Sequence, residues 1–430
     1  MNRSLRSTLV PGALALALVG ATTACSSDVA GGGAAGGGGD GQTLAVAATT
    51  NEQAAMDAVI ADFEEANPGV TVNATYSALD QYQTTTRTQL SSGTAPDVLF
   101  VWPGDGNPVA VDVVAPAGYL EDLSDEEWVA DLPDGIRPVV QDTEGATWIA
   151  PISFSGIGAV YNMTALEEVG LTPPETWSEL LQFCADAQEQ GRSAFALGAQ
   201  TNWVTQLIPF ALTPSLVYRD NPDFAEQMAA GEASFADSEW TTAMDKNLEM
   251  QEAGCFQSDP LGTSYEATLT AVAQGDSLGV IQVNSAVPGV QGEAPEGTEV
   301  QLLPVPATDD PSETWMAGAA GSSYGINVDA ANPDLAHQFL DYVMSPEGTN
   351  TYVTTNSALP AIPNDDFQVE PSLEALAQYQ EEGRTYPFMD QQWPNARVQQ
   401  TLFSVAQQLL GGQTDVPSAL AAMDEAYAQG

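Results

Sequence analysis

An α/β fold built on an open, largely parallel sheet is predicted, and three observations between residues 44 and 102 predict it. Short uncharged runs alternate with stripes of helical period, a proline–glycine stop divides the first helix from the second strand, and the third run is almost wholly apolar. Leu44-Ala45-Val46-Ala47-Ala48 reads as a short buried strand. Met56, Val59, Ile60 and Phe63 fall at i, i+3, i+4 and i+7, one stripe of an amphipathic helix. Asn67-Pro68-Gly69 stops that helix, because proline cannot continue it and glycine accepts the left-handed turn. Val70, Val72 and Ala74 alternate with Thr71, Asn73 and Thr75, the pattern of a half-buried strand. Residues 80–92 are polar but compatible with a helix, which Ser91-Ser92-Gly93-Thr94 ends, and Pro96-Asp97-Val98-Leu99-Phe100-Val101-Trp102 is the third strand.

Ligands of open α/β sheets sit at the carboxyl ends of the strands. Three loops leave those ends, at 49–53, 76–80 and 102–107, and they carry Glu52, Asp80, Trp102 and Asp105 as candidate ligand contacts.

The chain opens on an address. Arg3 and Arg6 precede an uncharged apolar stretch over 9–20, too short to span a bilayer, and Ala24-Cys25 follows. Residues 1–24 read as a signal peptide. Cys25 reads as the acylated first residue of a bacterial lipoprotein, although Thr22 stands where leucine is preferred; plain cleavage after Ala24 is the alternative. The glycine-rich run through 41 is then a flexible tether. It is no phosphate loop, since no Gly-Lys-Ser/Thr follows.

Asp and Glu number 58 against nine Lys and Arg, for a formal net charge of -49. That balance excludes nucleic acid and polyanionic ligands and describes a solvated acidic surface whose self-repulsion salt would screen. Of three cysteines, Cys184 and Cys255 remain once Cys25 is assigned. In a compartment that permits disulfides they are expected to be bridged, closing a loop worth at most about 4 kcal/mol; two buried thiols are the alternative.

Phe63-Glu64-Glu65-Ala66-Asn67-Pro68-Gly69-Val70-Thr71-Val72, followed by Gly93-Thr94-Ala95-Pro96-Asp97-Val98, resembles the opening of carbohydrate-type (family 1) extracellular solute-binding proteins of bacterial ABC importers. The resemblance runs from about residue 44 to the C-terminus. It implies a two-lobe periplasmic-binding-protein-like fold with a hinge and an interlobe cleft, one lobe from 42–149 plus 317–345 and the other from 150–316 plus 346–430. It also implies a monomer that carries a neutral mono- or oligosaccharide to membrane permease subunits, with no cofactor, from a lipid anchor at Cys25 on the extracellular face.

The remaining elements fit that plan. Thr147-Trp148-Ile149-Ala150-Pro151-Ile152 is an apolar strand leading through Gly156-Ile157-Gly158 into a second, Ala159-Val160-Tyr161-Asn162, where the resemblance puts the crossing between lobes. Thr164 and Glu167 are expected to cap a short helix, and Thr176-Trp177-Ser178-Glu179 is a capping box opening the helix of Cys184. Phe195-Ala196-Leu197-Gly198 and Val280-Ile281-Gln282-Val283 are strands; the loops after them bring Asn202, Trp203 and Asn284. Val287-Pro288 stands where the family usually has a tryptophan. Asn332-Pro333 opens a helix striped by Leu335, Phe339 and Val343, and two closing helices carry Val398, Leu402, Val405 and Leu409, then Val416, Leu420, Met423 and Tyr427.

Neutral sugars need hydrogen-bond partners for hydroxyls and aromatic rings for their C–H faces. Trp128, Trp148, Trp177 and Trp240 lie within elements and read as packing. Trp102, Trp203, Trp315 and Trp393 lie at strand ends or in loops and are the candidate platforms. An enzyme finds less support. No Gly-x-Ser-x-Gly elbow occurs, His337 is the single histidine and has no second to complete a triad or metal site, and carboxylate pairs prove nothing in so acidic a chain. A peptide receptor of similar fold is the main alternative, and a secreted glycoside hydrolase the weaker one.

Overall fold

The computed structural model describes residues 42–142 and 144–429. The segments read as signal peptide and tether, with Cys25, lie outside them. The chain first lays down β1 (Gln42–Thr49), β2 (Val70–Ser77), β3 (Val98–Phe100) and β4 (Ala150–Pro151). It then builds a second sheet from β5 (Ser153–Asn162), β6 (Ser193–Ala196), β7 (Ser277–Val283), β8 (Val300–Leu303) and β9 (Met316–Ala320). It returns to the first with β10 (Ser323–Ile326) and goes back to the second with β11 (Leu359–Pro360) and β12 (Thr385–Tyr386).

The first sheet has the order β2-β1-β3-β10-β4. β1 pairs in parallel with β2, from Gln42 opposite Val70 to Thr49 opposite Ser77, and with β3, Val46 opposite Val98. β10 is antiparallel to both β3 and β4, so the middle of the sheet is mixed rather than purely parallel. In the second sheet, β5 is the hub: β7, β8, β9 and β11 all pair with it antiparallel. Two apolar cores form, the first of which runs from the first sheet onto one face of the second through Val160, Val280 and Leu302. Leu44, Met56, Phe63 and Leu99 belong to the first, Trp240, Phe210, Phe195 and Trp393 to the second.

The helices follow their sequence logic. The Gln53–Ala66 helix buries Met56, Val59, Ile60 and Phe63, the predicted stripe. The Pro346–Thr355 helix packs against it, on the first core. Gly93, with φ 66°, closes the Leu79–Ser92 helix. Thr176 and Glu179 form both halves of the capping box at the head of Trp177–Glu189. The Cys184 and Cys255 sulfurs are joined, their Cα atoms 4.7 Å apart, within the second core. The adjoining Lys246 ammonium lies 4.0 Å from the centre of the Trp177 ring. His337 holds Glu121 at 2.8 Å and Glu126 at 2.5 Å, one on each ring nitrogen, and so ties the 121–126 segment to the Pro333–Met344 helix.

Two local expectations change. Of the two strands expected on either side of Gly156-Ile157-Gly158, the first shortens to β4, and the second starts early, at Ser153, running through the glycines fully buried. Its glycines serve close approach, not turning: a Cβ on Gly156 would meet Leu376 Cδ1 at 2.3 Å, and one on Gly158 would meet the Leu303 carbonyl oxygen at 2.5 Å. The helix Met163–Val169 is capped by Asn162, whose side chain accepts from the Ala165 amide, while Thr164 instead accepts from the Glu299 amide.

Candidate ligand-binding cleft

The loops at the carboxyl ends of β1, β2 and β3 converge on a cleft of about 680 Å³, within the range of small-ligand sites. Thr49–Glu52 comes from the first loop, residues 78–80 from the second, and Trp102, Pro103 and Asn107 from the third. The facing wall comes from the side of the second sheet: residues 200–203, 206 and 207 after β6, Tyr265 and Glu266, and Phe388, Asp390 and Gln391. Gln399, Phe403 and Gln407, four residues apart on the Ala396–Leu410 helix, complete it. Ser155 and Ile157 of β5 and the 320–322 connection between β9 and β10 also line it.

Each wall carries an indole. Trp102 is braced edge-on by Phe100, centroids 4.6 Å apart at 85°, and by Tyr82 at 5.8 Å. Tyr82 is itself fixed by donating to the Phe100 carbonyl at 2.7 Å. Trp203 rests on Tyr265, with centroids 5.1 Å apart at 55°. Its amide is held by Asn202 Oδ1 at 2.8 Å, so Asn202 shapes the turn as well as lining the cleft.

The charged groups are all acidic: Glu52, Asp80, Glu266 and Asp390 line the cleft, and none of the described residues lining it is Lys, Arg or His. Glu52 is buried, and three donors converge on its Oε2: Ser322 Oγ at 2.8 Å, Asn356 Nδ2 at 3.4 Å and the Tyr352 hydroxyl. Burial raises its pKa against the lowering effect of the Tyr352 and Ser322 bonds. Asp390 accepts from Gln399 Nε2 at 2.6 Å, and desolvation pushes its pKa up to about 7. Asp80 is exposed, in the first turn of its helix.

Of the nine sequence candidates the structure brings Glu52, Asp80, Trp102, Asn202 and Trp203 to the cleft. The other four lie elsewhere. Asn284 is fully buried and acts as a tie, accepting from the Gly156 amide at 2.7 Å and donating to the Ser357 carbonyl at 2.6 Å. Its neighbour Ser285 lines the cleft instead. Trp393 is only 2% exposed, wedged among Phe210, Phe235 and Trp240, because its ring completes the second core. Trp315 pairs its backbone with Ser215, its amide donating to Ser215 Oγ at 2.9 Å, away from the cleft wall. Asp105 is half-buried outside the cleft lining, where burial raises its pKa and its charge in turn helps to raise Asp112. Its amide donates to the Gln391 carbonyl at 3.3 Å.

Sequence reading missed Tyr265, Phe388, Asp390 and the Gln399–Phe403–Gln407 face. The last was signalled by a polar–aromatic–polar series at four-residue spacing beside the apolar stripe. Among the described residues no cluster of three or more His, Cys, Asp or Glu could hold a metal ion, and no helix is long and apolar enough to cross a membrane.

Two α/β halves, each built on its own sheet and both facing a cleft at the strand ends, define a solute-binding protein of the two-lobe type. The chain belongs to the bacterial extracellular solute-binding protein family, whose profile matches residues 47–350. It is 21% identical over 359 residues to the multiple sugar-binding protein of Streptococcus mutans, covering 80% of this chain and 81% of that one. It is 22% identical over 362 residues to the melibiose/raffinose/stachyose-binding protein of Bacillus subtilis, covering 76% and 79%. The fold matches that of the solute-binding protein RafE in complex with raffinose with a TM-score of 0.74, at 19% identity over 90% of this chain and 99% of that one. Family and relatives are substrate-binding proteins and not enzymes, which sets the glycoside hydrolase alternative aside.

Proposed function

We propose that this protein captures a neutral sugar or oligosaccharide between its lobes and delivers it to the permease of an ABC importer. The observation that carries the reading is the pair of braced indoles, Trp102 and Trp203, on opposite walls of a cleft lined with amides and carboxylates and no cation. Rings take the apolar sugar faces, and side chains such as Asp80, Asn202 and Glu52 take hydroxyls. The sugars in the names of its relatives support the same class.

Closure follows if the ligand touches both walls at once, because only differential contact shifts an open–closed equilibrium. The lobes are taken as 42–149 plus 317–345 and 150–316 plus 346–430, adjusted where β9 joins the second sheet and the Pro346–Thr355 helix packs on the first core. The protein works as a monomer held at the extracellular face by acylated Cys25.

A thermal-shift screen of mono- and oligosaccharides, with short peptides as the contrast, tests the ligand class. Stabilisation that grows with sugar concentration is expected, because ligand binds the folded state alone. Stabilisation by peptides only would replace the sugar reading with a peptide receptor. Mass spectrometry of the N-terminal peptide is expected to find Cys25 acylated, and an unmodified Cys25 on a released protein would remove the anchor.

A further inference from the structure

One corner of the cleft has acceptors without donors. Gln391 is only 7% exposed, and its Nε2 donates to the Ala320 carbonyl at 2.9 Å. That bond fixes the sense of the amide, since turning it would set oxygen against oxygen. Its Oε1 is buried and has no partner. Next to it, Asp390 Oδ2 accepts from Gln399, and the backbone amides of Asp390 and Gln391 also act on the carboxylate, which still has acceptor capacity to spare. A third lining side chain, Gln206, is 9% exposed and also has a buried, unpartnered Oε1.

This corner cannot readily turn away to find water. A Cβ on Gly104 would fall 2.0 Å from the Gln391 carbonyl oxygen, and one on Gly106 1.9 Å from that of Asp390. The Asp105 amide, between the two glycines, bonds the Gln391 carbonyl. Backbone from the first wall is thus pressed directly on the segment that carries the acceptors. A buried acceptor without a donor costs free energy that native structures rarely bear, and at a ligand site the missing donor belongs to the ligand.

We propose that Gln391 and the ionised Asp390 carboxylate form an acceptor subsite that reads the protons of a pair of sugar hydroxyls, and that it is a determinant of which sugar the cleft takes. This rests on the sugar-binding reading and deepens it. A hydroxyl donates there through O–H. A deoxy position, an O-methyl ether or a carboxylate has no proton to give, so sugars altered at these positions are rejected.

The test takes the best sugar from the screen and its complete set of monodeoxy analogues, titrated by calorimetry into wild type, Gln391→Met and, independently, Asp390→Ala. In wild type one or two positions are expected to lose about tenfold or more in affinity on deoxygenation. At those positions the loss should shrink to about threefold or less in the variants, since the partner group is already gone. Analogue penalties that stay the same in both variants as in wild type would overturn the subsite and leave sugar binding standing. If no sugar binds wild type at all, the sugar reading itself falls, a separate result from failure of the subsite. Either variant suffices if the other does not fold, as judged by its thermal transition.

Discussion

Trp203 and Trp393 carry the same side chain into opposite environments. Trp203 is half-buried on the cleft wall and Trp393 lies inside the second core. Trp203→Ala is therefore expected to weaken sugar binding by about 1–3 kcal/mol with little change in melting temperature. Trp393→Ala should cost about 3–5 kcal/mol of stability through the void it leaves. Calorimetry and thermal denaturation separate the two, and reversed outcomes would exchange their assignments. Asp390 supplies a pH dependence. Its pKa is raised by burial to about 7 in the folded protein, so the unfolded chain ionises it first. Stability it contributes is present below its unfolded pKa and lost as pH rises towards 7. Asp390→Asn should flatten the stability–pH curve of the unliganded protein across that window, and an unchanged curve would show that the carboxylate is not perturbed. Sequence identified the segment, Phe388 to Trp393, but chose the indole over the carboxylate. Which side of a short 3-10 turn meets solvent depends on packing against distant elements, here Phe210 and Trp240, and no local period encodes it.

At the level of elements, the sequence was legible where one face is buried. The Gln53–Ala66 helix and β2 follow their apolar spacing closely. The capping box at Thr176 is a local signal, and its bonds are local too. At β5 the strand was expected to begin only after Gly156 and Gly158, but it begins at Ser153, and those glycines sit within it, making room for Leu376 and the Leu303 carbonyl. Glycine for close approach and glycine for a turn look alike in one sequence. The disulfide adds a measurable element. It joins the Trp177–Glu189 helix to the residue that pairs its carbonyl with the Phe195 amide of β6, across a separation of 71 residues. Replacing both cysteines by serine is expected to cost up to about 4 kcal/mol in a denaturant titration. A loss that a reducing agent does not reproduce in wild type would mean that packing of the sulfurs, and not the cross-link, is what matters.

For the molecule as a whole, a net charge of -49 is spread over two lobes with only nine Lys and Arg in the entire chain. Like charges destabilise the compact state, and dissolved ions screen them. Raising sodium chloride from low salt to about 1 M should raise the melting temperature steadily. A flat or falling response would mean that the acidic residues are already neutralised locally. The two-sheet division was legible through the family resemblance, which implied two lobes and placed the crossing near residue 150 between the strand runs. Contacts between the cores were not: Gly104 and Gly106 meet Asp390 and Gln391 only after the chain has crossed between the sheets several times.

Lys246 is the only lysine in the chain, and its ammonium lies over the Trp177 ring, away from the residues that line the cleft. Amine-directed reagents therefore have a single side-chain target, and a dye attached there would need no engineered cysteine and would not disturb the native bridge. Burial lowers the Lys246 pKa, which supplies the free amine such reagents need at milder alkalinity than a fully solvated lysine requires. The indole beneath it is a ready quencher, so a fluorophore at this position would report loosening of the Trp177–Glu189 helix as a gain in emission.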